Sequence, residues 1–264
     1  MAARNIFDLS GKVATVIGGG SGIGEAVTIG AARQGAYVVC LDIKQDAAER
    51  VARQAGADGC KCQAGTTDIR DSAAVERSFD EIRRTHGSLD IVICTPSINV
   101  RKKILDYQDE EVARVLDLNI KGNFNVLRAA GRIMTAQRHG SIVLFSSIRS
   151  LVVEPGQSVY AATKAGILQM ARGAASEFGP YGVRVNCVGP GVIETPLTAP
   201  IKANPDWFNA YAAKSVFNRW GQPEEMVGPT LFLASDAASY VTGTIIYADG
   251  GWLATDGRFT PPGM

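Results

Sequence analysis

Lys12-Val-Ala-Thr-Val-Ile17 runs directly into Gly18-Gly-Gly-Ser-Gly22-Ile-Gly24, and then into a helical stretch from Glu25 to Gln34. The first six residues are mostly apolar and β-branched, the pattern of a strand buried on both faces. The glycines, spaced G-x-x-x-G-x-G on Gly18, Gly22 and Gly24, let the backbone come close to a phosphate. The helix behind them offers unpaired N–H groups and the positive end of its dipole. Strand, glycine turn and helix are the context that a dinucleotide pyrophosphate requires, with Ser21 and Ile23 in the same turn. A flexible Gly-rich turn is the plainer alternative. A nucleoside-triphosphate loop is excluded, because no Gly-Lys-Ser/Thr follows.

The next apolar run, Ala36-Tyr-Val-Val-Cys-Leu-Asp42, ends in an acid. Asp42 lies about 20 residues past the glycines, where a carboxylate can take both hydroxyls of an adenosine ribose. A carboxylate there repels a 2′-phosphate, so NAD is expected over NADP, with Ile43 beside it. Further apolar strands are predicted near residues 59–63, 89–94, 141–147, 183–188 and 244–248, alternating with helical stretches. The alternation predicts βαβ units: an α/β, Rossmann-type, doubly wound parallel sheet with helices on both faces. No composition break interrupts it, so residues 1–264 are read as one domain.

Tyr160 and Lys164 stand four residues apart in Ser158-Val-Tyr-Ala-Ala-Thr-Lys164, on a helix predicted from Ser158 to Phe178. That spacing puts both side chains on one face, one turn apart. A phenol beside an ammonium is expected to lose its proton more easily. Such a Tyr can act as acid or base on an alcohol or ketone.

Together these motifs resemble the short-chain dehydrogenase/reductase family over nearly the whole chain. The resemblance implies a catalytic set of Asn119, Ser147, Tyr160 and Lys164. Asn119 lies in Leu116-Asp-Leu-Asn-Ile-Lys-Gly122, and Ser147 closes the strand Ser141-Ile-Val-Leu-Phe-Ser-Ser147. In that set Tyr160 takes the hydroxyl proton, Lys164 supports the tyrosinate and binds the nicotinamide ribose, and Ser147 holds the substrate oxygen. Asn119 positions a water and Lys164 in a proton relay. The resemblance also assigns Asp68 to the adenine. Pro190, Gly191, Ile193 and Thr195 fall in the segment that meets the nicotinamide carboxamide.

One stretch departs from the family. After the fourth strand the family usually carries Asn-Asn-Ala-Gly, where this chain has Cys94-Thr95-Pro96-Ser97. Cys94, at the position expected to face the cofactor, cannot make an amide hydrogen bond. Pro96 fixes its own φ and removes a donor. The departure leaves the tie between strands and the ribose contacts open.

The formal charge of +1 implies no nucleic-acid partner. No run approaches a membrane span in length. Met1 to Leu9 contains no apolar signal core, and five scattered Cys suit thiols in a reducing compartment, so a cytoplasmic location is expected. Cys60-x-Cys62 falls in a predicted strand, where both would face one side, but no second Cys pair accompanies it and no metal site is expected. Small residues on the Tyr160 helix allow close packing, and the resemblance implies a homotetramer or homodimer.

The substrate is expected to be a small molecule. Ile98-Asn-Val-Arg-Lys-Lys-Ile-Leu-Asp106 resembles sugar-acid and polyol dehydrogenases of the family, such as gluconate 5-dehydrogenases. Arg101, Lys102 and Arg149 would suit a carboxylate; a solvated basic loop with a structural ion pair is the alternative. Residues 195–220, with Pro196, Pro200, Pro205 and Trp207, are read as an irregular lid over the substrate. A 3-oxoacyl thioester reductase is the competing enzyme reading, and a catalytically silent NAD-binding regulator is the competing reading of another class.

Overall fold

The structure is a computed structural model, and it describes residues 5–255. The ends of the predicted 1–264 span, and residues 1–4 of the leader reading, lie outside the described residues. Seven strands form one parallel sheet: β1 (Val13–Ile17), β2 (Tyr37–Asp42), β3 (Cys62–Thr66), β4 (Ile91–Cys94), β5 (Gly140–Phe145), β6 (Val183–Pro190) and β7 (Ile245–Ala248). Their order is β3-β2-β1-β4-β5-β6-β7. The winding reverses between β1 and β4, which pair Ala14 with Ile91 and Ile17 with Cys94. A reversal of this kind opens a crevice at the carboxyl ends of the strands.

The strands are apolar throughout because both faces are covered. Val13 and Ile17 of β1, Val92 and Cys94 of β4, and Ile142 and Leu144 of β5 enter one core. Helices α3 (Ser72–His86), α5 (Asn123–Gln137) and α6 (Ser158–Phe178) close that side. Ala14, Val16, Ile91, Ile93, Val143 and Phe145 point the other way. There they meet α1 (Gly22–Arg33) and α9 (Val227–Ala234), with α2 (Gln45–Ala57) at the β2 end. Each fully buried side chain of this kind contributes roughly 1.5–3 kcal/mol, so a polar residue in β4 or β5 would cost stability on either face. Short helices α4 (Asp109–Leu116), α7 (Ala199–Lys202) and α8 (Pro205–Ala212) complete the set. No helix among the described residues is long and apolar enough to cross a membrane.

Two sequence expectations are corrected. β3 begins at Cys62, three residues later than predicted, so Cys60 precedes the strand, although both side chains pack against the same core as expected. Its register is set by pairing to β2, Val38 with Cys62 through Asp42 with Thr66, and not by its own weak apolar pattern. The 195–220 segment is more regular than expected, since it contains α7 and α8. Pro205 stands in the first turn, where its missing N–H costs nothing, and Asn204 caps the helix by accepting the Trp207 N–H at 3.1 Å.

Candidate active site

The carboxyl edge of β1, β2 and β4 opens into a groove of about 720 Å³. It is lined by Gly18, Ser21, Gly22, Ile23, Gly24, Asp42, Ile43, Asp68 and Thr195, all predicted from sequence, and by Thr95, Pro96, Ser97 and Asn99. The glycine turn is tight enough to demand its glycines. A Cβ on Gly24 would lie 2.0 Å from the Gly18 carbonyl oxygen, and Gly18 and Gly22 have φ of +74° and +53°. Asp42 is locked onto this turn: one carboxylate oxygen accepts the Gly20 N–H and the other the Lys44 N–H, both at 3.0 Å. Each oxygen keeps a lone pair for a further donor. Asp68 is bound by the Arg70 guanidinium at 2.6 Å, which holds its carboxyl below the usual range.

Cys94 does not reach the groove. It is buried in the core under β4, and burial raises its thiol to about 12. The tie between strands comes instead from its neighbour: the Thr95 hydroxyl donates to the Ile17 carbonyl at 2.9 Å. Pro96 and Thr95 pack on Gly18, within 3.0 and 2.6 Å of where its Cβ would be. Pro190 and Ile193 are likewise turned inward; Ile193 is buried and its strand-like backbone bridges Gly221. Thr195 closes over the glycine turn, 3.3 Å from a Cβ position on Gly22.

Helix α6 carries Tyr160 and Lys164, as the spacing predicts. The Lys164 ammonium lies 5.4 Å from the centroid of the Tyr160 ring. It donates to the Phe145 carbonyl at 2.8 Å, and the Ser146 hydroxyl donates to the Lys164 carbonyl at 2.8 Å. The end of β5 therefore fixes the helix at Lys164. Of the three ammonium donors one is used by Phe145, which leaves two that suit ribose hydroxyls. Burial lowers Lys164 to about 8.

The expectation for Tyr160 is corrected. Burial raises its phenol above the ordinary tyrosine value. The Ser147 and Ser97 hydroxyls and the charges of Arg149 and Arg101 oppose the rise without cancelling it. Desolvation of the phenol is the largest effect, and Lys164 is not among the groups that oppose it.

Asn119 is buried. It sits in a π-helical turn, Asp117–Gly122, between α4 and α5. Its side-chain oxygen accepts the Ile98 N–H at 3.0 Å; its amide nitrogen donates to the Ile98 carbonyl at 2.9 Å and the Thr163 hydroxyl at 3.1 Å. Both amide protons are spent on these two contacts, so the side chain holds the loop after β4.

A second cavity of about 300 Å³ adjoins the groove, with Ser147, Tyr160, Arg149, Arg101 and Trp207 in its wall. The two guanidiniums of this wall are held by Glu154, which sequence reading missed. Arg101 and Arg149 reach opposite oxygens of this carboxylate at 2.7 and 2.8 Å. Tyr211 and Gln157 donate to it as well. Burial raises the Glu154 carboxyl, but the hydrogen bonds of Tyr211 and Arg101 and the Arg149 charge together bring it below its usual value. Arg149 also stacks over Trp252 at 5.5 Å, and Arg101 over Trp207 at 5.1 Å. Lys102 is not part of this cluster; it pairs with Glu111 at 2.7 Å. Glu154, Gln157 and Tyr211 gave no signal in the sequence, because only the turn after β5 and helix α8 bring them to one point. Thr95 and Ser97 were flagged by the departure at Cys94–Ser97.

Comparison with known proteins gives a consistent result. The family model described as enoyl-(acyl carrier protein) reductase matches residues 18–253. A 3-oxoacyl-[acyl-carrier-protein] reductase of Thermotoga maritima is 35% identical, over 92% of this chain and 98% of its own. Gluconate 5-dehydrogenase of Gluconobacter oxydans is 31% identical, over 95% of this chain and 98% of its own. A crystal structure of a gluconate 5-dehydrogenase from Burkholderia cenocepacia, in complex with NADP and tartrate, superposes with a TM-score of 0.92 at 29% identity. That match covers 95% of this chain and 98% of the other.

Proposed function

Since the chain belongs to the short-chain dehydrogenase/reductase family, and is an oxidoreductase of that family, we propose that it interconverts a secondary alcohol and a ketone on a small polyol or sugar acid, using NAD. The observation that carries this reading is the meeting of Ser147 and Tyr160 in one cavity wall, with Lys164 behind the tyrosine. The glycine turn, Asp42 and two free donors of Lys164 fit a dinucleotide, and would hold its pyrophosphate, adenosine ribose and nicotinamide ribose. When bound, it supplies the hydride acceptor.

In the oxidation direction Tyr160 accepts the proton of the substrate hydroxyl, and Ser147 donates to the same substrate oxygen. In reduction Tyr160 returns the proton. Helices α7 and α8 form the lid: Pro200, Ile201, Trp207 and Tyr211 wall the cavity on their side. Two guanidiniums in the cavity wall share one carboxylate, that of Glu154, an excess of one positive charge, and the buried side-chain oxygen of Asn99 has no partner among the described residues. Charged and hydrogen-bonding groups suit hydroxyls and a carboxylate better than an acyl chain.

NAD preference rests on Asp42, although the Burkholderia protein was solved with NADP. Binding of both cofactors to wild type and Asp42→Ala tests it; tighter NADP than NAD binding by the wild type removes it. The Thermotoga relative favours a second reading, reduction of a 3-oxoacyl thioester. Parallel assays on polyols, sugar acids and a 3-oxoacyl thioester, with the products identified, separate the two. Turnover of the thioester alone would replace the proposal.

A further inference from the structure

Asn99 stands in the wall of both the cofactor groove and the smaller cavity that holds Ser147 and Tyr160. It therefore marks the junction where a nicotinamide and a substrate would meet. The orientation of its amide follows from Glu154 through a short chain of hydrogen bonds. Glu154, held below its usual value, is a carboxylate and only accepts. Gln157 must then offer Glu154 its amide nitrogen, and it does. The Gln157 oxygen is left to accept, and it takes the Asn99 side-chain nitrogen at 3.2 Å. The Asn99 oxygen ends the chain. It is closed off from water and has no partner among the described residues. The backbone on either side is fixed. Asn119 holds both main-chain groups of Ile98, and the Lys102 N–H donates to the Gly156 carbonyl at 3.1 Å.

We propose that Asn99 is a specificity-determining residue: its side-chain oxygen accepts a substrate hydroxyl on the carbon next to the one that is oxidised. An enclosed amide oxygen without a donor is unfavourable, and a bound ligand can supply the donor. The neighbouring groups call for the opposite partner. The guanidiniums of Arg101 and Arg149 only donate. The Ser147 hydroxyl accepts the Arg149 N–H at 3.1 Å and keeps its own proton to give. These groups suit the reacting oxygen and a carboxylate. A second hydroxyl brings a proton, and Asn99 is oriented to take it, with Gln157 as its positioning residue. The place of Asn99 at the junction selects the hydroxyl beside the reacting carbon, not one at the far end of the substrate. A compound with hydrogen there leaves Asn99 unpaired and is rejected. A 3-oxoacyl thioester, with a methylene beside its ketone, is disfavoured for the same reason.

This inference rests on the polyol reading of the same site. The test compares a vicinal polyol with its deoxy analogue, which lacks the hydroxyl beside the reacting carbon. NADH formation gives kcat/KM for both compounds with wild type, Asn99→Leu and Asn99→Ala. The ratio within one preparation does not depend on how much of it is folded, so a destabilised variant still answers. Wild type should favour the polyol by roughly a hundredfold, the scale of one enclosed polar group left unpaired. Both variants should bring that ratio below about tenfold, losing rate on the polyol while the analogue stays within about threefold. NAD binding should be unchanged. A wild type that treats the two compounds alike overturns the assignment without any variant. Variants that keep the wild-type ratio overturn it too. Variants that slow both compounds equally and bind NAD more weakly place the missing donor on the cofactor, and also overturn it. A wild type that oxidises no polyol removes the reading on which the inference rests; an unchanged ratio on polyols that are oxidised removes only the role of Asn99.

Discussion

Asn119 holds Ile98 by both of its main-chain groups, accepting the N–H at 3.0 Å and donating to the carbonyl at 2.9 Å. An asparagine in a π-helical turn thus acts as a backbone partner for a loop that no strand pairs. The loop runs along the cofactor groove through Thr95, Pro96, Ser97 and Asn99. Asn119 is buried, so its replacement strands both Ile98 groups away from water.

Asn119→Ala should therefore destabilise the protein by about 1–3 kcal/mol for the groups left unpaired. It should also weaken NAD binding, measured by calorimetry at a temperature where the variant remains folded. Asn119→Asp keeps the acceptor and loses two donors, and should fall between wild type and alanine. Unchanged NAD affinity in Asn119→Ala would show that the loop stands without this clamp.

Lys164 gives a prediction about stability against pH. Burial lowers it from 10.5 to about 8 in the folded chain. Between those values the unfolded chain holds a proton that the folded chain does not, so this residue makes stability rise with pH. Its destabilisation is full below pH 8 and corresponds to roughly 3 kcal/mol. Lys164→Met removes the charge. Denaturant unfolding should find the variant ahead of wild type at neutral pH by a margin that shrinks towards pH 10. A margin that stays constant would place Lys164 in a more solvated environment than its burial implies.

Much of this architecture was legible. Buried parallel strands are apolar at every position, so β1, β2, β4, β5 and β6 announced themselves. The glycine turn and the Tyr160–Lys164 helix followed from local spacing. β3 was misplaced because Cys62-Gln-Ala-Gly-Thr66 has little strand character of its own and takes its register from β2. The prolines at 200 and 205 make the segment read as irregular, whereas each stands in the first turn of a short helix. The tuning of Tyr160 was misjudged for a different reason. Sequence spacing shows that an ammonium is near a phenol, but not that both are desolvated. Glu154 was invisible because its importance lies in four side chains converging on it from the stretches after β4 and β5 and from α8.

The cavity charge leads to a test of substrate class. Arg101 is more exposed than Arg149 and shares Glu154 with it, so it can be removed with less damage. Arg101→Ala should raise KM for an aldonate by roughly tenfold, the loss of one charge-assisted hydrogen bond. KM for the matching uncharged polyol should stay within about twofold. Equal effects on both compounds would make the guanidinium a structural partner of Glu154 and remove the case for an anionic substrate.

The central claim is that Tyr160 exchanges the proton of a small secondary alcohol during hydride transfer to NAD. The most direct test follows NADH formation from a panel of polyols and sugar acids, with wild type and Tyr160→Phe compared across pH. Phenylalanine keeps the ring and removes the ionisable oxygen. Wild type should oxidise at least one compound of the panel, at a rate that rises with pH as the phenol deprotonates. Tyr160→Phe should still bind NAD but turn over at least roughly a hundredfold more slowly, the scale of lost acid–base catalysis. A Tyr160→Phe enzyme that oxidises the same compound at the wild-type rate would contradict the account.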